Sequence, residues 1–301
     1  MIAIMTPTYN RAYILGKAYE SLKKQTSYAF EWIIVDDGST DDTEAIVAKW
    51  MEEEQNFSII YAKQKNGGKH RAVNKGVQIA SCDWFLILDS DDQLTEDAVT
   101  KIHKWIDEVS GVKEIAGVAG LKGRVSINGV YEAIGGTPKR PYIDATNLER
   151  KKNGLSGDKA EVYKTEIMRQ YPFPEFDGEN FLRESAVWDH IAMDGLKLRW
   201  YSEIIYLCEY IEDGLTKNTN FETYRRNFYG YLYCTKLFLK THSGIIYLHK
   251  CGEFYHVAKS KKLTITDICE LLDINLGAMV AGIVVFTTNR LRKSVFNIQR
   301  I

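Results

Sequence analysis

Short apolar runs alternate with amphipathic stretches through the first hundred residues. Residues 2–5, 32–35, 57–61 and 84–88 are apolar runs of strand length. Between them, residues 12–25 place Ile14, Leu15, Ala18 and Leu22 at helical spacing. Residues 41–54 and 68–80 read as two further helices, the first with Thr40 or Asp41 as its N-cap. Strands alternating with helices predict an α/β fold: a mostly parallel sheet with helices on both faces, joined by right-handed crossovers. Further on, the pattern predicts a helix over 96–108, β structure with Gly turns over 116–135 and a polar loop over 139–160. It then predicts an ordered loop over 171–181, a helix over 182–193 and one or two strands over 198–207. Beyond Asp213 the period turns helical, which predicts a helical C-terminal region over 216–301 behind an α/β domain over 1–215.

The chain has 301 residues, 39 Lys+Arg against 40 Asp+Glu, 45% hydrophobic and 26% charged residues. Those values suit a folded globular protein and argue against a disordered chain or a general nucleic-acid binder. The near-zero total hides a gradient. Residues 1–110 carry 12 basic and 18 acidic side chains, a net of −6, and residues 211–301 carry 13 and 7, a net of +6. The five cysteines are widely spaced with no CxxC pair, so neither a disulfide framework nor a zinc site is expected, and a reducing cytoplasm fits. The N-terminus runs straight into a strand-like segment, with no leader expected. The longest apolar stretch, 276–288, is shorter than the roughly 18–20 residues a membrane span needs.

Ligands of open α/β sheets bind outside the carboxyl ends of the strands, and the polar oddities fall there. After the first strand comes Thr6-Pro7-Thr8-Tyr9-Asn10-Arg11, and after the second Asp36-Asp37-Gly38-Ser39-Thr40. Before the third helix stands Asn66-Gly67-Gly68-Lys69-His70-Arg71, whose glycines allow close backbone approach and whose helix start and cations suit a phosphate. After the fourth strand comes Asp89-Ser90-Asp91-Asp92. Three carboxylates within four residues repel one another, and a hard divalent cation removes that repulsion. Each motif alone also suits a helix cap or a solvated turn. Neither a GxxxxGK[ST] loop nor a GxGxxG fingerprint is present.

Together, Pro7-Thr8-Tyr9-Asn10, Val35-Asp36-Asp37-Gly38-Ser39-Thr40-Asp41, Asn66-Gly67-Gly68 with Asn74-Lys75-Gly76, and Leu88-Asp89-Ser90-Asp91-Asp92 resemble the family 2 glycosyltransferases of GT-A fold. The resemblance is strong over 1–110, expected to be the nucleotide-binding half, and weaker over 111–215, the acceptor half. It implies transfer of a sugar from a nucleotide-diphosphate donor, a UDP-sugar, to an acceptor hydroxyl, with Mg²⁺ or Mn²⁺ as cofactor. Pro7, Thr8, Tyr9, Asp37 and Lys69 would bind the nucleotide, Asp37 by accepting the uracil N3–H. Asp89 would hold ribose or sugar, and Asp91 and Asp92 the metal, with Asp91 thereby part of the catalytic machinery.

An inverting transfer needs a general base. The resemblance aligns Glu184, four residues before Trp188, with that base, with Asp177, Glu179 and Asp189 as alternatives because the family's Glu-Asp pair is absent. Trp188 reads as core, and Gly157-Asp158-Lys159 as a turn or an acceptor contact. The run Leu196-Lys197-Leu198-Arg199-Trp200 lacks the Gln of QxxRW, which favours single addition over polymer synthesis. The aromatic and basic tail suits peripheral contact with an anionic membrane on its inner face, and a glycan or lipid-linked acceptor in polysaccharide or glycolipid assembly. Two rivals remain at this stage. One is a nucleotide-sugar-binding protein without turnover, and the other is a phosphohydrolase of haloacid dehalogenase type using Asp89.

Overall fold

The computed structural model describes residues 1–53, 56–208 and 220–298, the last eight by backbone alone. The expected end of the second helix at 54 and the expected boundary at 215 lie outside them. The described residues form two compact units: Met1–Phe173 with Val187–Ile211, and Pro174–Ala186 with Glu212–Ile301.

The first unit opens with β1 (Ile2–Thr8), α1 (Ala12–Lys23), β2 (Phe30–Asp36), α2 (Thr43–Glu52), β3 (Ser58–Lys63), α3 (Lys69–Ile79) and β4 (Trp84–Ile87). β5 (Gln93–Leu94), α4 (Ala98–Glu108), β6 (Ile115–Val125), β7 (Tyr131–Ala133), β8 (Tyr142–Ala145) and β9 (Lys159–Lys164) follow. α5 (Thr165–Gln170), α6 (Ser185–Met193) and β10 (Lys197–Leu207) come next in the chain. The sheet runs β3-β2-β1-β4-β9-β6-β10-β5. β1 pairs in parallel with both β2 and β4. The chain therefore winds outward from β1 to β3 and then crosses to β1's other side, a switch point whose carboxyl-end crevice is the expected ligand site. β9 is antiparallel to β4 and β6, and β5 is antiparallel to β10.

The apolar period explains the packing. β1 and β2 are buried on both faces along their whole length, as central strands covered by helices must be. Leu15, Ala18 and Leu22 of α1 and Ile102 and Trp105 of α4 enter the same core as Ile4, Trp32, Leu86 and Val118. The buried indole N–H of Trp32 donates to Thr6 Oγ1 (2.9 Å), and that of Trp200 to the Ala145 carbonyl (2.8 Å). Neither ring therefore buries an unpaired donor.

The sequence expectation fails over 139–160, where a plain loop was predicted. β8 pairs with β10, and Thr146 and Glu149 form a capping box around a 3₁₀ turn at Asn147–Glu149. A half-exposed edge strand has little apolar period to reveal it. The helix predicted to begin at 182 begins at Ser185.

The second unit consists of the segment Pro174–Ala186 and helices α7 (Phe221–Arg226), α8 (Phe228–Thr241), α9 (Gly244–Ala258), α10 (Ile265–Leu272) and α11 (Leu276–Ile298). Its core is Tyr231, Cys251, Phe254, Val257, Ile268 and Met279, among others. α9 and α11 cross at Gly252 and Gly282, where a Cβ on Gly252 would run into the Gly282 carbonyl. No single helix among the described residues is long and apolar enough to cross a membrane.

Candidate active site

The loops at the carboxyl ends of β1, β2 and β3 are stitched together by the motif side chains. Asn10 adopts a left-handed conformation (φ 51). Its N–H donates to Ser39 Oγ (2.8 Å), and its Oδ1 accepts the Thr40 N–H (2.8 Å). Asp41 accepts the Ala12 N–H (2.9 Å), so the second loop caps the start of α1. Asp36 is fully buried and accepts from the Ser39 N–H (2.7 Å) and the Tyr61 hydroxyl (2.6 Å).

Asp37 reaches the next loop. Its carboxylate accepts from Gln64 Nε2 (2.7 Å), the Gly67 N–H (3.0 Å), the Gly68 N–H (2.7 Å) and Asn66 Nδ2 (3.2 Å). The role implied for Asp37, accepting a uracil N3–H, would require one of these donors to be exchanged. Gly38 (φ 88) and Gly68 (φ 96) permit the turns, and a Cβ on Gly38 would stand 2.9 Å from the Asn66 nitrogen. Pro7 and Thr8 are buried at the end of β1, and Tyr9 is half exposed. The Thr8 hydroxyl is buried with no hydrogen-bond partner among the described residues, an orphan that a ligand would satisfy.

The acidic turn stands beside this platform. Leu88 N–H donates to the Met5 carbonyl (2.8 Å), fixing the turn to the end of β1. Lys69, on the first residue of α3, pairs with Asp89 at 2.5 Å. Burial opposes the charge on Asp89, but Lys69, Lys122 and Arg11 outweigh it and hold its carboxyl below the usual range. The neighbours behave oppositely. Burial first, and then the Asp89 charge, push Asp91 up, and push Asp92 up to about 7.

Beneath the turn lies a residue that sequence reasoning missed. Tyr206 of β10 is fully buried, and its hydroxyl accepts the Asp89 N–H (2.9 Å) and bonds the Asp92 carboxylate. The Lys122 ammonium of β6 sits over its ring at 4.1 Å. The available signal was a phenol within the otherwise apolar run Ile204-Ile205-Tyr206-Leu207.

Among the described residues no three His, Cys, Asp or Glu side chains are arranged as a metal cage. The fit is therefore to a hard cation that takes one or two carboxylates here and its remaining oxygens from a diphosphate and water. Asp91 and Asp92, raised by burial and then by the charge of Asp89, are the carboxylates such a cation would relieve.

The base candidates divide between the units. Asp177, Glu179 and Glu184 belong to the second, Asp189 to the first. Glu184 is half-buried in the turn just before α6, and Asp177 is exposed. Glu179 is buried and accepts the N–H groups of Tyr229 (2.7 Å) and Gly230 (2.8 Å), so it caps α8. Asp189 accepts from Asn147 Nδ2 (2.7 Å). Trp188 is core, stacked on Tyr163 at 4.5 Å. Gly157 (φ 75) turns the chain into β9, and Lys159 is buried, its ammonium donating to the Ser156 carbonyl (2.5 Å).

The model of the family described as Glycosyl transferase family 2 matches residues 3–124. Glycosyltransferase GlyG of Streptococcus pneumoniae serotype 4 is 32% identical over 108 residues, which are 36% of this chain and 36% of that protein. The chain thus spans about a third of the length of that curated relative. The GalNAc(5)-diNAcBac-PP-undecaprenol beta-1,3-glucosyltransferase of Campylobacter jejuni is 23% identical over 260 residues, 85% of this chain and 81% of its own. Among solved structures, S. aureus TarS 1-349 in complex with UDP-GlcNAc matches with a TM-score of 0.63 at 18% identity. That match covers 97% of this chain and 92% of the other and extends the likeness in fold to the helical region. The fold expected from the sequence, GT-A with a helical C-terminal region, is the one observed.

Proposed function

We propose that this chain, a family 2 glycosyltransferase, transfers a hexosyl group from a UDP-sugar to a hydroxyl of a glycan or lipid-linked acceptor, with inversion and with Mg²⁺ or Mn²⁺. The observation that carries the reading is the convergence of Thr8, Asp37, Lys69 and the Asp89–Asp92 turn at the carboxyl ends of adjoining parallel strands, with Lys69 and Asp89 2.5 Å apart. Pro7, Thr8 and Tyr9 offer a wall for the base. Lys69 and the start of α3 offer positive potential to the diphosphate. Asp91 and Asp92 would hold the metal. When bound, the metal neutralises charge that builds on the leaving diphosphate.

The acceptor oxygen attacks the anomeric carbon as the carbon–oxygen bond to the diphosphate breaks. The electron pair of that bond leaves with UDP, and the acceptor proton passes to the base, assigned to Glu184. The name of the Campylobacter relative, a transferase acting on an undecaprenol-linked saccharide, supports a lipid-linked acceptor. Peripheral membrane contact is part of the same proposal. Leu276, Val280 and Val284 are exposed at i, i+4 and i+8 on α11, and residues 276–298 contain Arg290, Arg292 and Lys293 but no acidic residue.

The test is release of UDP from a panel of UDP-sugars with Mn²⁺ or Mg²⁺. The proposal expects release by the wild type and not by Asp91→Ala. Tight UDP binding without turnover would reduce the chain to a binding protein. Phosphate release from a phosphomonoester would replace the proposal with a phosphohydrolase.

A further inference from the structure

The segment Pro174–Ala186 carries Asp177 and Glu184, yet it packs as part of the helical unit. Its attachment there is specific. Asn227, buried at the N-terminus of α8, accepts two successive backbone N–H groups on Oδ1, from Asn180 (2.8 Å) and Phe181 (2.9 Å). The Asn227 amide is itself oriented by donating from Nδ2 to the Thr223 carbonyl (2.9 Å). Glu179 grips the first amides of α8 through both carboxylate oxygens. Gly230 makes room for this, since a Cβ there would stand 3.1 Å from Leu182 and 3.2 Å from Glu179 Oε2. Arg183, next to Glu184, bonds the Tyr224 hydroxyl and lies over its ring. Buried polar groups of this kind fix one backbone path, because any other path leaves them unpaired.

We propose that the C-terminal helices position the general base: Asn227 and Glu179 hold the segment that bears it. This rests on the transferase reading above and adds positioning residues to it. It makes the helical region part of the catalytic machinery rather than an appendage. The assignment holds whether Glu184 or Asp177 is the base, since both lie on the anchored segment.

The experiment compares the full-length Asn227→Ala, Asn227→Asp, Glu179→Gln, Glu184→Gln and Asp177→Asn chains by UDP affinity, thermal unfolding and steady-state transfer. Displacing a base by an ångström costs on the order of 10²-fold in rate. The proposal expects Asn227→Ala and Glu179→Gln to lower kcat by roughly 10- to 100-fold while the Kd for UDP with Mn²⁺ stays within about twofold. Asn227→Asp retains an Oδ acceptor for the Asn180 and Phe181 amides but loses the Nδ2 donor to the Thr223 carbonyl, so it recovers part of the lost rate. Glu179→Gln is close in shape and keeps one acceptor, so it tests the idea even if Asn227→Ala unfolds. Unchanged kcat in Glu179→Gln and Asn227→Ala, with Glu184→Gln inactive, would overturn the positioning role and leave the transferase reading intact. A Glu184→Gln chain as active as wild type, together with an active Asp177→Asn chain, would instead remove the base from this segment.

Discussion

The strand ends after β2 and after β4 both carry adjacent aspartates within one sheet, and their carboxylates meet opposite surroundings. Asp36 and Asp37 accept from backbone amides, a phenol and side-chain amides until few lone pairs remain free. Asp91 and Asp92 face burial and the charge of Asp89 instead, and both are driven toward protonation. The first pair builds the platform. The second stores unfavourable electrostatics that a cation would release. Carboxylates that the protein satisfies hold the platform together, and those it leaves in conflict are where a cation is expected.

The contrast can be broken by exchanging single residues. The largest effect is expected for Asp91→Ala, with transfer falling by about 10³-fold or more, as for loss of the cation that would meet the developing charge. Its unfolding temperature without metal should not fall. Asp36→Ala should behave oppositely. It strands the Tyr61 hydroxyl and the Ser39 N–H, at about 1–3 kcal/mol for each buried unpaired group, and a urea melt should show that loss. If Asp36→Ala and Asp91→Ala destabilise equally, the distinction between the two pairs fails.

Tyr206→Phe removes only the oxygen that ties Asp89 to Asp92. About a tenfold loss of kcat is expected, with the Mn²⁺ concentration for half-maximal rate rising and the KM for a saturating acceptor unchanged. A variant that keeps the wild-type metal requirement would make Tyr206 an ordinary core residue.

The smallest effect is on stability against pH. Burial and Asp89 raise Asp92 from the ordinary 3.8 to about 7 in the folded chain. The folded state therefore binds the extra proton between those values, and the stability it contributes is full below about 4 and lost as pH rises through about 7. Metal-free melts from pH 4 to 8 should show this decline, and Asp92→Asn should flatten it. A flat wild-type profile would contradict the electrostatic picture.

How much of this was legible beforehand depends on the range of each interaction. The four strand ends could be read because the apolar runs and the motifs that follow them are local. Asn10, Ser39 and Asp41 were visible as a set, although their hydrogen bonds to one another were not. Tyr206 meets Asp89 across 117 positions, and nothing in the period of β10 marks it. Asn227 holds Phe181 across 46 positions, so the attachment of the segment Pro174–Ala186 to the helices was equally hidden. One miss was local: Thr146-Asn147-Leu148-Glu149 is a capping-box pattern inside the stretch predicted to be a plain loop. Glu179 was legible as an alternative base because the family's Glu-Asp pair is absent, but the two backbone N–H groups it accepts, 50 and 51 positions away, were not.

The central claim is that the Asp89–Asp92 turn binds a nucleoside diphosphate through a divalent cation. Calorimetric titration of UDP into the full chain tests it most directly, run with Mn²⁺, with EDTA, and with Asp91→Ala in Mn²⁺. The account predicts binding that weakens by about tenfold or more in EDTA, and the same weakening for Asp91→Ala in Mn²⁺. Equal UDP affinity in all three titrations would contradict it.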